Sequence, residues 1–203
     1  MELDHLAVVT CGTLDAGVAA VEAALGVTLA PGGRHDHMAT HNRLLSLGPG
    51  LYLEVIAPDP VAPKPGWPRW FDLDAQAGPP RLTHWICRVG DLAAALAAAP
   101  AGAGRATDLE RGPFRWRMAV PETGRLPFDD TFLALIEWQA GGHPADRLPD
   151  AGCRLRRLVV THPRAAAIAA ALGLDDPRVV FVTGPRKALA AEIDTPHGLR
   201  LLE

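Results

Sequence analysis

The chain has few of the features that mark disulfide-stapled, secreted or membrane proteins. Its three cysteines, Cys11, Cys87 and Cys153, are odd in number, far apart and outside any CxxC motif, which argues against a disulfide framework and favours a reducing compartment. No apolar stretch is long enough to span a membrane, and Asp4 and His5 stand where a signal peptide needs a basic start and an apolar run. We therefore expect a cytoplasmic protein without a membrane partner.

The chain also has no strong excess of charge of either sign. Its formal net charge is −3, with acidic and basic residues interspersed, so there is no electrostatic reason to expect a nucleic-acid partner. No phosphate-binding loop or dinucleotide fingerprint stands out, because the glycines are scattered singly at turns. The 203 residues are 48% hydrophobic, which is ample for a packed core. A small organic molecule is the expected partner.

What the chain does contain is a unit of one strand, one helix and further strands, seen three times. The first strands are similar to one another at 3–9 and 82–88, and more distantly at 155–161. Alanine-rich segments with helical periodicity follow at 14–25, 91–99 and 163–172. Later strands are predicted at 42–47, 51–56, 114–120, 132–138, 179–183, 188–194 and 199–202. The order predicts an α+β protein built from three tandem βαβββ modules.

We place these modules at residues 1–60, 82–140 and 153–203. Residues 61–81 between the first two modules are rich in proline and also carry Trp67, Trp70 and Phe71. A simple spacer rarely needs three aromatic side chains. Two interpretations are open: the aromatics pack against the core, or the segment partly covers a site as a lid.

The first two modules each carry a histidine in the first strand and a glutamate in the last. His5 and Glu54 are 49 positions apart, and His84 and Glu137 are 53 apart. Both glutamates interrupt strongly apolar strands, where a carboxylate without a partner would cost several kcal/mol or take up a proton. Two imidazoles and two carboxylates suit a divalent metal ion. The third module has an arginine and a leucine at these places, so duplication alone does not dictate the pattern.

Two interpretations without a metal are also open. The glutamates could pair with arginines such as Arg88 or Arg115, giving buried ion pairs. The protein would then be a non-catalytic binding protein that sequesters an apolar or aromatic compound with Trp85, Trp116 and Trp138. Metal content separates this class from an enzyme.

The pattern resembles the vicinal oxygen chelate superfamily, and in particular its glyoxalase-like domain proteins. The resemblance rests on the two histidine and glutamate pairs, covers about residues 1–140, and extends to the segments Gly32-Gly33-Arg34-His35 and Thr40-His41-Asn42. It implies that the first two modules pair into a cupped mixed β-sheet with flanking helices and a metal inside. The implied ligands are His5, Glu54, His84 and Glu137. Zn, Ni, Co, Mn and Fe all accept this ligand set.

The resemblance further implies a metal-dependent lyase, isomerase or epimerase. The metal would polarise a substrate carbonyl while a carboxylate removes the adjacent proton, with Glu137 as the expected base and Glu54 as the alternative. The expected substrate contacts are His41, Asn42, Arg115 and Trp116. An extradiol-type dioxygenase, which uses two histidines and one carboxylate, remains open but leaves Glu54 unexplained. The third module is expected to cap the other two or to pair with its counterpart in a homodimer.

Overall fold

The computed structural model describes all 203 residues as twelve strands with few helices. The first module contains β1 (Glu2–Val9), α1 (Leu14–Leu25), β2 (Ala30–His35), β3 (Thr40–Ser46) and β4 (Tyr52–Pro58). The second contains β5 (Arg81–Arg88), α2 (Leu92–Ala98), β6 (Arg105–Arg111), β7 (Phe114–Val120), the short turn α3 (Pro127–Asp130) and β8 (Ala134–Ala140). The third contains β9 (Arg154–His162), α4 (Ala165–Leu172), β10 (Val179–Thr183), β11 (Ala188–Thr195) and β12 (Gly198–Leu202). Single 3-10 turns lie at Asp36–Met38, Trp70–Asp72 and Pro144–Arg147.

The first two modules form one eight-stranded sheet, in the order β2-β3-β4-β1-β5-β8-β7-β6. In each module the first strand pairs in parallel with the last, and β1 joins β5 antiparallel at the centre. The sheet curls until its edge strands β2 and β6 contact each other without backbone pairing. The predicted α+β class and the cupped mixed sheet are therefore confirmed.

The third module repeats the order of elements but not the strand pairing. Its four strands form a separate sheet in the order β10-β9-β11-β12, in which β9 pairs in parallel with β10 and antiparallel with β11. Its first strand thus pairs with the second and third strands of the module, whereas β1 and β5 pair with the last strand of their own modules. The prediction of three equivalent copies does not extend to this topology.

The two faces of the curled sheet have different surroundings. Side chains alternate along each strand, so His5, Tyr52 and Glu54 point into the cup, while Leu6 and Trp85 point outwards. Helix α1 packs on the outer face of β4 so closely that a Cβ atom at Gly17 would lie 2.9 Å from Val55 Cγ1. Trp85 packs against Phe181 of the second sheet at 6.0 Å between ring centroids. The outer face is thus covered, and the inner face forms the cup.

The proline-rich segment contributes to the core and to the wall of the cup. Trp70 and Phe71 are buried, whereas Trp67 is exposed and stacks on His37. Phe71 has a left-handed backbone with φ 60°. The segment is held in place by buried Arg69, whose Nε donates hydrogen bonds to the carbonyl oxygens of Met38 and Ala39.

The three cysteines are free. None of the helices combines the length and the apolar character that crossing a membrane requires.

Candidate active site

A chain of three charged side chains runs from the wall of the cup into its interior. His5 donates from Nδ1 to Asp4 Oδ1 at 2.6 Å, and its Nε2 lies 3.6 Å from Glu54 Oε1. Asp4 also accepts hydrogen bonds from Trp138 Nε1 at 2.9 Å and from His143 Nε2 at 3.0 Å. Asp4 can occupy this position because the β1–β5 pairing is irregular between Leu3 and His5. Asp4 therefore fixes the His5 ring, and the other ring nitrogen faces Glu54.

The buried position of these groups decides their charge. Burial alone would lower the pKa of His5, but the hydrogen bond to Asp4 and the nearby carboxylate of Glu54 outweigh it and raise this pKa to about 9. Burial would raise the pKa of Glu54, but the adjacent charged His5 ring and the hydrogen bond from Asn42 hold it below its usual value. The pKa of Asp4 is lowered in the same way, against burial, by His143 and His5. At neutral pH the chain is an imidazolium between two carboxylates.

Asn42 connects Glu54 with an arginine on the opposite edge of the sheet. Its Nδ2 donates to Glu54 Oε2 at 2.7 Å, and its Oδ1 accepts from Arg111 Nη1 at 3.2 Å. The same Oδ1 accepts from the backbone N–H of Gly33 at 3.0 Å. A Cβ atom on Gly32 would lie 2.2 Å from Asn42 Oδ1, so only glycine fits beside this amide. The Gly32-Gly33 pair thus serves to position Asn42.

His35 is the second buried histidine of the cup. Its Nε2 accepts from Arg111 Nη1 at 3.1 Å, so the ring proton lies on Nδ1, which donates to Thr40 Oγ1 at 3.0 Å. Burial, together with the nearby positive charge of Arg111, lowers the pKa of His35 to about 3. His35 is therefore neutral where His5 is charged.

Aromatic rings form most of the remaining wall. The cavity that they enclose is narrow. Tyr52 stacks on His5 with 4.5 Å between ring centroids, and Trp116 packs against Trp138 at 5.5 Å. The other lining side chains are His35, Glu54, Trp70, Phe71, Arg111, Met118 and Ile136. A narrow aromatic cavity with a few polar groups at one side is the usual form of a small-molecule site.

His84 is not part of this cavity. Its Nε2 lies 2.9 Å from Asp130 Oδ2, and its Nδ1 lies 2.8 Å from Thr83 Oγ1. Its ring packs against Phe71 at 4.8 Å between centroids, and Phe71 lines the cavity while His84 does not. The carboxylate nearest to this buried ring is thus Asp130, a residue that sequence reasoning did not single out, although His84 Nε2 has no well-aligned hydrogen bond.

Glu137 lies on the opposite face of the sheet from Glu54. In the parallel pairing of β5 with β8, Ile86 is opposite Ala134 and Arg88 is opposite Ile136, so Ile136 and Trp138 face the cup and Glu137 faces outwards. Its Oε2 accepts the backbone N–H of Leu92 at 2.7 Å, at the first residue of α2. Glu137 therefore does not lie beside His5 and Glu54, where its predicted roles as ligand and base require it. The inward-facing positions of β8 are the residues before and after it, Ile136 and Trp138.

Of the other predicted contacts, Asn42 and Trp116 lie in the site and Arg115 does not. Arg115 is exposed on the outer side of β7 and pairs with Glu110 at 2.9 Å. His41 neighbours Asn42 on the same strand and so points to the other face, where its Nε2 is buried without a hydrogen bond. Trp85, the third tryptophan proposed for binding, faces outwards as well.

Arg88 and Arg115, the arginines expected to pair with the two glutamates, have other partners. Arg88 pairs with Glu2 and donates to the carbonyl oxygen of Gly50. Arg117 Nη1 lies 3.9 Å from Glu137 Oε2. Glu54 is paired with His5 and Asn42 and with no arginine.

The donors present do not fit the predicted metal site. Within the cup only His5 Nε2 and Glu54 Oε1 lie close enough to share an ion, and nowhere in the chain do three His, Cys, Asp or Glu side chains converge as ligands. The two histidines and two glutamates lie in three different places. His5 and Glu54 are in the cup, His84 is next to Asp130, and Glu137 is on the outer face. The set of two histidines and one carboxylate is not assembled either: His84 lies outside the cup, and both ring nitrogens of His35 are engaged by Arg111 and Thr40.

Sequence reasoning assigned no role to Asp4 or Arg111. It named His35 only within the segment Gly32-Gly33-Arg34-His35, and Trp70 only as an aromatic residue of the core or of a lid. For Asp4 the available signal was a carboxylate next to a histidine in an otherwise apolar strand. His35 and Arg111 end the strands β2 and β6, which were not predicted, so nothing in the sequence pattern placed them opposite each other.

Comparisons with known proteins agree with this fold. Residues 3–174 match the family model described as "Glyoxalase-like domain". No curated protein matches. A hypothetical protein from Staphylococcus aureus is 12% identical with a TM-score of 0.59, covering 92% of this chain and 87% of the other.

Two further solved structures are similar at lower scores. Methylmalonyl-CoA epimerase from Mycobacterium tuberculosis is 19% identical with a TM-score of 0.45, over 70% of this chain and 89% of the other. A fusion of a xylose isomerase-like TIM barrel with 4-hydroxyphenylpyruvate dioxygenase is 16% identical with a TM-score of 0.46, over 97% of this chain and 30% of the other. The family match spans most of the chain, and the chain belongs to the glyoxalase-like domain family.

Proposed function

We propose that the cup is the active site of an enzyme that removes a proton from the carbon next to a carbonyl group. The observation that carries this proposal is the Asp4–His5–Glu54 chain, in which a buried acid and a buried base lie side by side. The chain opens into an aromatic cavity that suits a small organic molecule. The reaction class is isomerisation or epimerisation.

His5 is suited to act on the carbonyl oxygen. It is an imidazolium at neutral pH, and its Nδ1–H is already used by Asp4, so Nε2–H is the proton available to a substrate. At 3.6 Å its contact with Glu54 is long, which leaves this N–H free to turn to a carbonyl oxygen. A donor aimed at the oxygen stabilises the negative charge that develops there as the enolate forms.

Glu54 is suited to be the base. Its low pKa keeps it ionised, and its two oxygens have different partners: Asn42 holds Oε2, while Oε1 faces His5. When a substrate carbonyl accepts the His5 proton, Oε1 loses the group that depresses its basicity. Substrate binding therefore makes Glu54 a stronger base at the moment when the base is needed.

The proton balance needs no further reactant. The C–H bond breaks, the proton goes to Glu54 Oε1, and the electron pair moves into the enolate, whose oxygen is hydrogen-bonded to His5 Nε2. Return of the proton from Glu54 to a neighbouring carbon gives the isomer. Delivery of a solvent proton to the opposite face of the same carbon, with Glu54 passing its proton to water, gives the epimer. Asp4 holds the His5 ring throughout through Nδ1.

A divalent metal has no role in this proposal because only two ligand side chains meet in the cup. If an ion binds, His5 and Glu54 are the residues that would hold it, and it would polarise the substrate carbonyl in place of the His5 N–H. The two versions differ in their response to chelation, since acid–base catalysis by His5 and Glu54 survives EDTA.

Exchange of substrate hydrogen with solvent tests the proposal directly. The protein is incubated in D2O with 2-oxobutanoate, acetoin and a propionyl thioester, and loss of the proton signal next to each carbonyl is followed by NMR. We expect exchange of at least one compound, and Glu54→Gln should slow it roughly 10²- to 10⁴-fold, the usual contribution of a positioned base. Glu137→Gln is the matched control and should leave exchange unchanged.

Each competing interpretation has its own outcome. Binding of these compounds without any exchange would identify a non-catalytic binding protein. Loss of exchange on treatment with EDTA would identify a metal-dependent enzyme. A large effect of Glu137→Gln with none from Glu54→Gln would overturn the assignment of the base.

A further inference from the structure

We infer that the ligand of the cup carries a carboxylate, and that Arg111 is the residue that binds it. The inference rests on the proposed function only in taking the bound acid to be a substrate. Binding of the acid itself can be measured without any reaction. It points to short oxo acids as the substrate class, as opposed to neutral aldehydes or ketones.

Arg111 is a half-buried cation without a carboxylate partner. Its Nη1 donates to His35 Nε2 and to Asn42 Oδ1, both neutral acceptors, and it makes no ion pair. The arginines on the outer side of the neighbouring strand do have one: Arg115 pairs with Glu110, and Arg117 with Asp108. Removing a guanidinium from water without a counter-charge is costly, so an anion is expected at Arg111 when the site is filled.

Asn42 keeps this charge from being cancelled inside the cup. The amide lies between Glu54 and Arg111 and turns its N–H to the carboxylate and its oxygen to the guanidinium. The carboxylate of Glu54 is therefore not neutralised by an arginine, and its Oε1 atom faces His5 and can accept a proton. A direct Glu54–Arg111 pair would have used up both groups.

The remaining donors of Arg111 form a binding fork. Because Nη1 carries both contacts to the protein, Nε and Nη2 make no hydrogen bond with the protein. These two donors are parallel and match the two oxygens of a carboxylate. The neutral His35 ring fixes the guanidinium from one side, and the Phe114 ring lies 5.7 Å from the guanidinium carbon. The side chain is thus oriented before any ligand arrives.

The spacing limits the length of the ligand. One amide group spans the distance between Glu54 and Arg111, through contacts of 2.7 Å and 3.2 Å. A molecule that places its reacting carbon at Glu54 and its carboxylate at Arg111 is therefore a short chain. The aromatic walls leave little room for a bulky group around it.

Quenching of tryptophan fluorescence measures this binding without any need for turnover, since three tryptophans line the cup. The probes are 2-oxobutanoate and its methyl ester, which differ by one negative charge. We expect the acid to bind at least tenfold more tightly than the ester. Arg111→Met should remove this preference, Arg111→Lys should keep part of it, and Arg115→Met, the matched control on the outer face, should keep all of it.

The outcomes separate this inference from the proposed function. Preference for the acid without any solvent exchange supports the carboxylate site and contradicts the enzyme. Solvent exchange that is equally fast for acid and ester supports the enzyme and overturns the carboxylate site. Equal binding of both probes, binding of neither, or an unchanged preference in Arg111→Met also overturns it. A thermal melt of each variant shows that the fold is intact.

Discussion

The charge state of His5 is set by its immediate neighbours and makes the protein sensitive to pH. The pKa of this ring rises from 6.5 to about 9 on folding, so its charged form is stabilised by the folded state. The stabilisation is present in full below pH 6.5 and is lost as pH rises through 9. Asp4 and Glu54, whose pKa values are lowered, contribute in the opposite sense: their stabilisation is lost only in acid.

We therefore expect the wild-type protein to lose stability between pH 6.5 and 9 relative to His5→Gln. The shift of the His5 pKa sets an upper limit on the order of 3 kcal/mol for this difference. Urea unfolding at pH 6 and at pH 9.5 measures it, with His37→Gln, which changes an exposed histidine, as the control. If the difference in free energy of unfolding between the wild type and His5→Gln is the same at both pH values, the raised pKa of His5 is contradicted.

At the residue scale, four of the predicted side chains lie together in the cup: His5, Glu54, Asn42 and Trp116. The sequence pointed to His5 and Glu54 because a histidine and a carboxylate in apolar strands need partners. Their roles remain predictions. Glu137 was misplaced because alternation is exact: a shift of one residue along Leu135-Ile136-Glu137-Trp138 moves a side chain to the other face. The pairing that fixes this register is a property of the folded sheet.

At the scale of elements, the missed strands β2 and β6 explain the missed residues. β2 has the sequence Ala-Pro-Gly-Gly-Arg-His, and its glycines and proline are typical of a loop. β6 lies at the open edge of the sheet and carries charged residues on its outer side. Neither has the apolar run that predicts a strand, yet each is held by a long antiparallel partner. The module boundaries at 61–81 and 153–203 remain predictions.

Glu137 has a structural role in helix α2 that can be measured. Its carboxylate accepts the Leu92 N–H, one of the unpaired donors at the start of this seven-residue helix. We expect Glu137→Ala to lower the free energy of unfolding by about 0.5 to 2 kcal/mol. Glu137→Gln retains an acceptor oxygen and should cost less. Equal stability of the alanine variant and the wild type in urea would refute this role.

At the scale of the whole molecule, the two sheets are joined through their own side chains and through a backbone contact. Trp85 of the eight-stranded sheet packs against Phe181 of the four-stranded sheet, and the Leu82 N–H donates to the carbonyl oxygen of Glu203 at 3.0 Å. The third module therefore covers the outer face of the first two. The expected homodimer is not needed to bury that face.

This packing predicts that the two sheets unfold together. Phe181→Ala should lower the stability by about 1 to 3 kcal/mol, because it removes a half-buried ring that packs against buried Trp85. The neighbouring Val182→Ala changes an exposed side chain and should have an effect within about 0.5 kcal/mol. In the wild type and in both variants, circular dichroism and tryptophan fluorescence should report the same unfolding transition. Two separate transitions in the wild type would show that the sheets are independent.

The curled sheet is closed along its edges by side chains alone. β2 and β6 have no backbone ladder between them, and Arg111 of β6 reaches His35 of β2 and Asn42 of β3. The hydrogen bonds of this one guanidinium group therefore help to hold the two edges of the sheet together. An anion bound to Arg111 and extending to Glu54 on β4 would add a link between β6 and the first module, so we expect ligand binding to strengthen the contact between the two edges of the sheet.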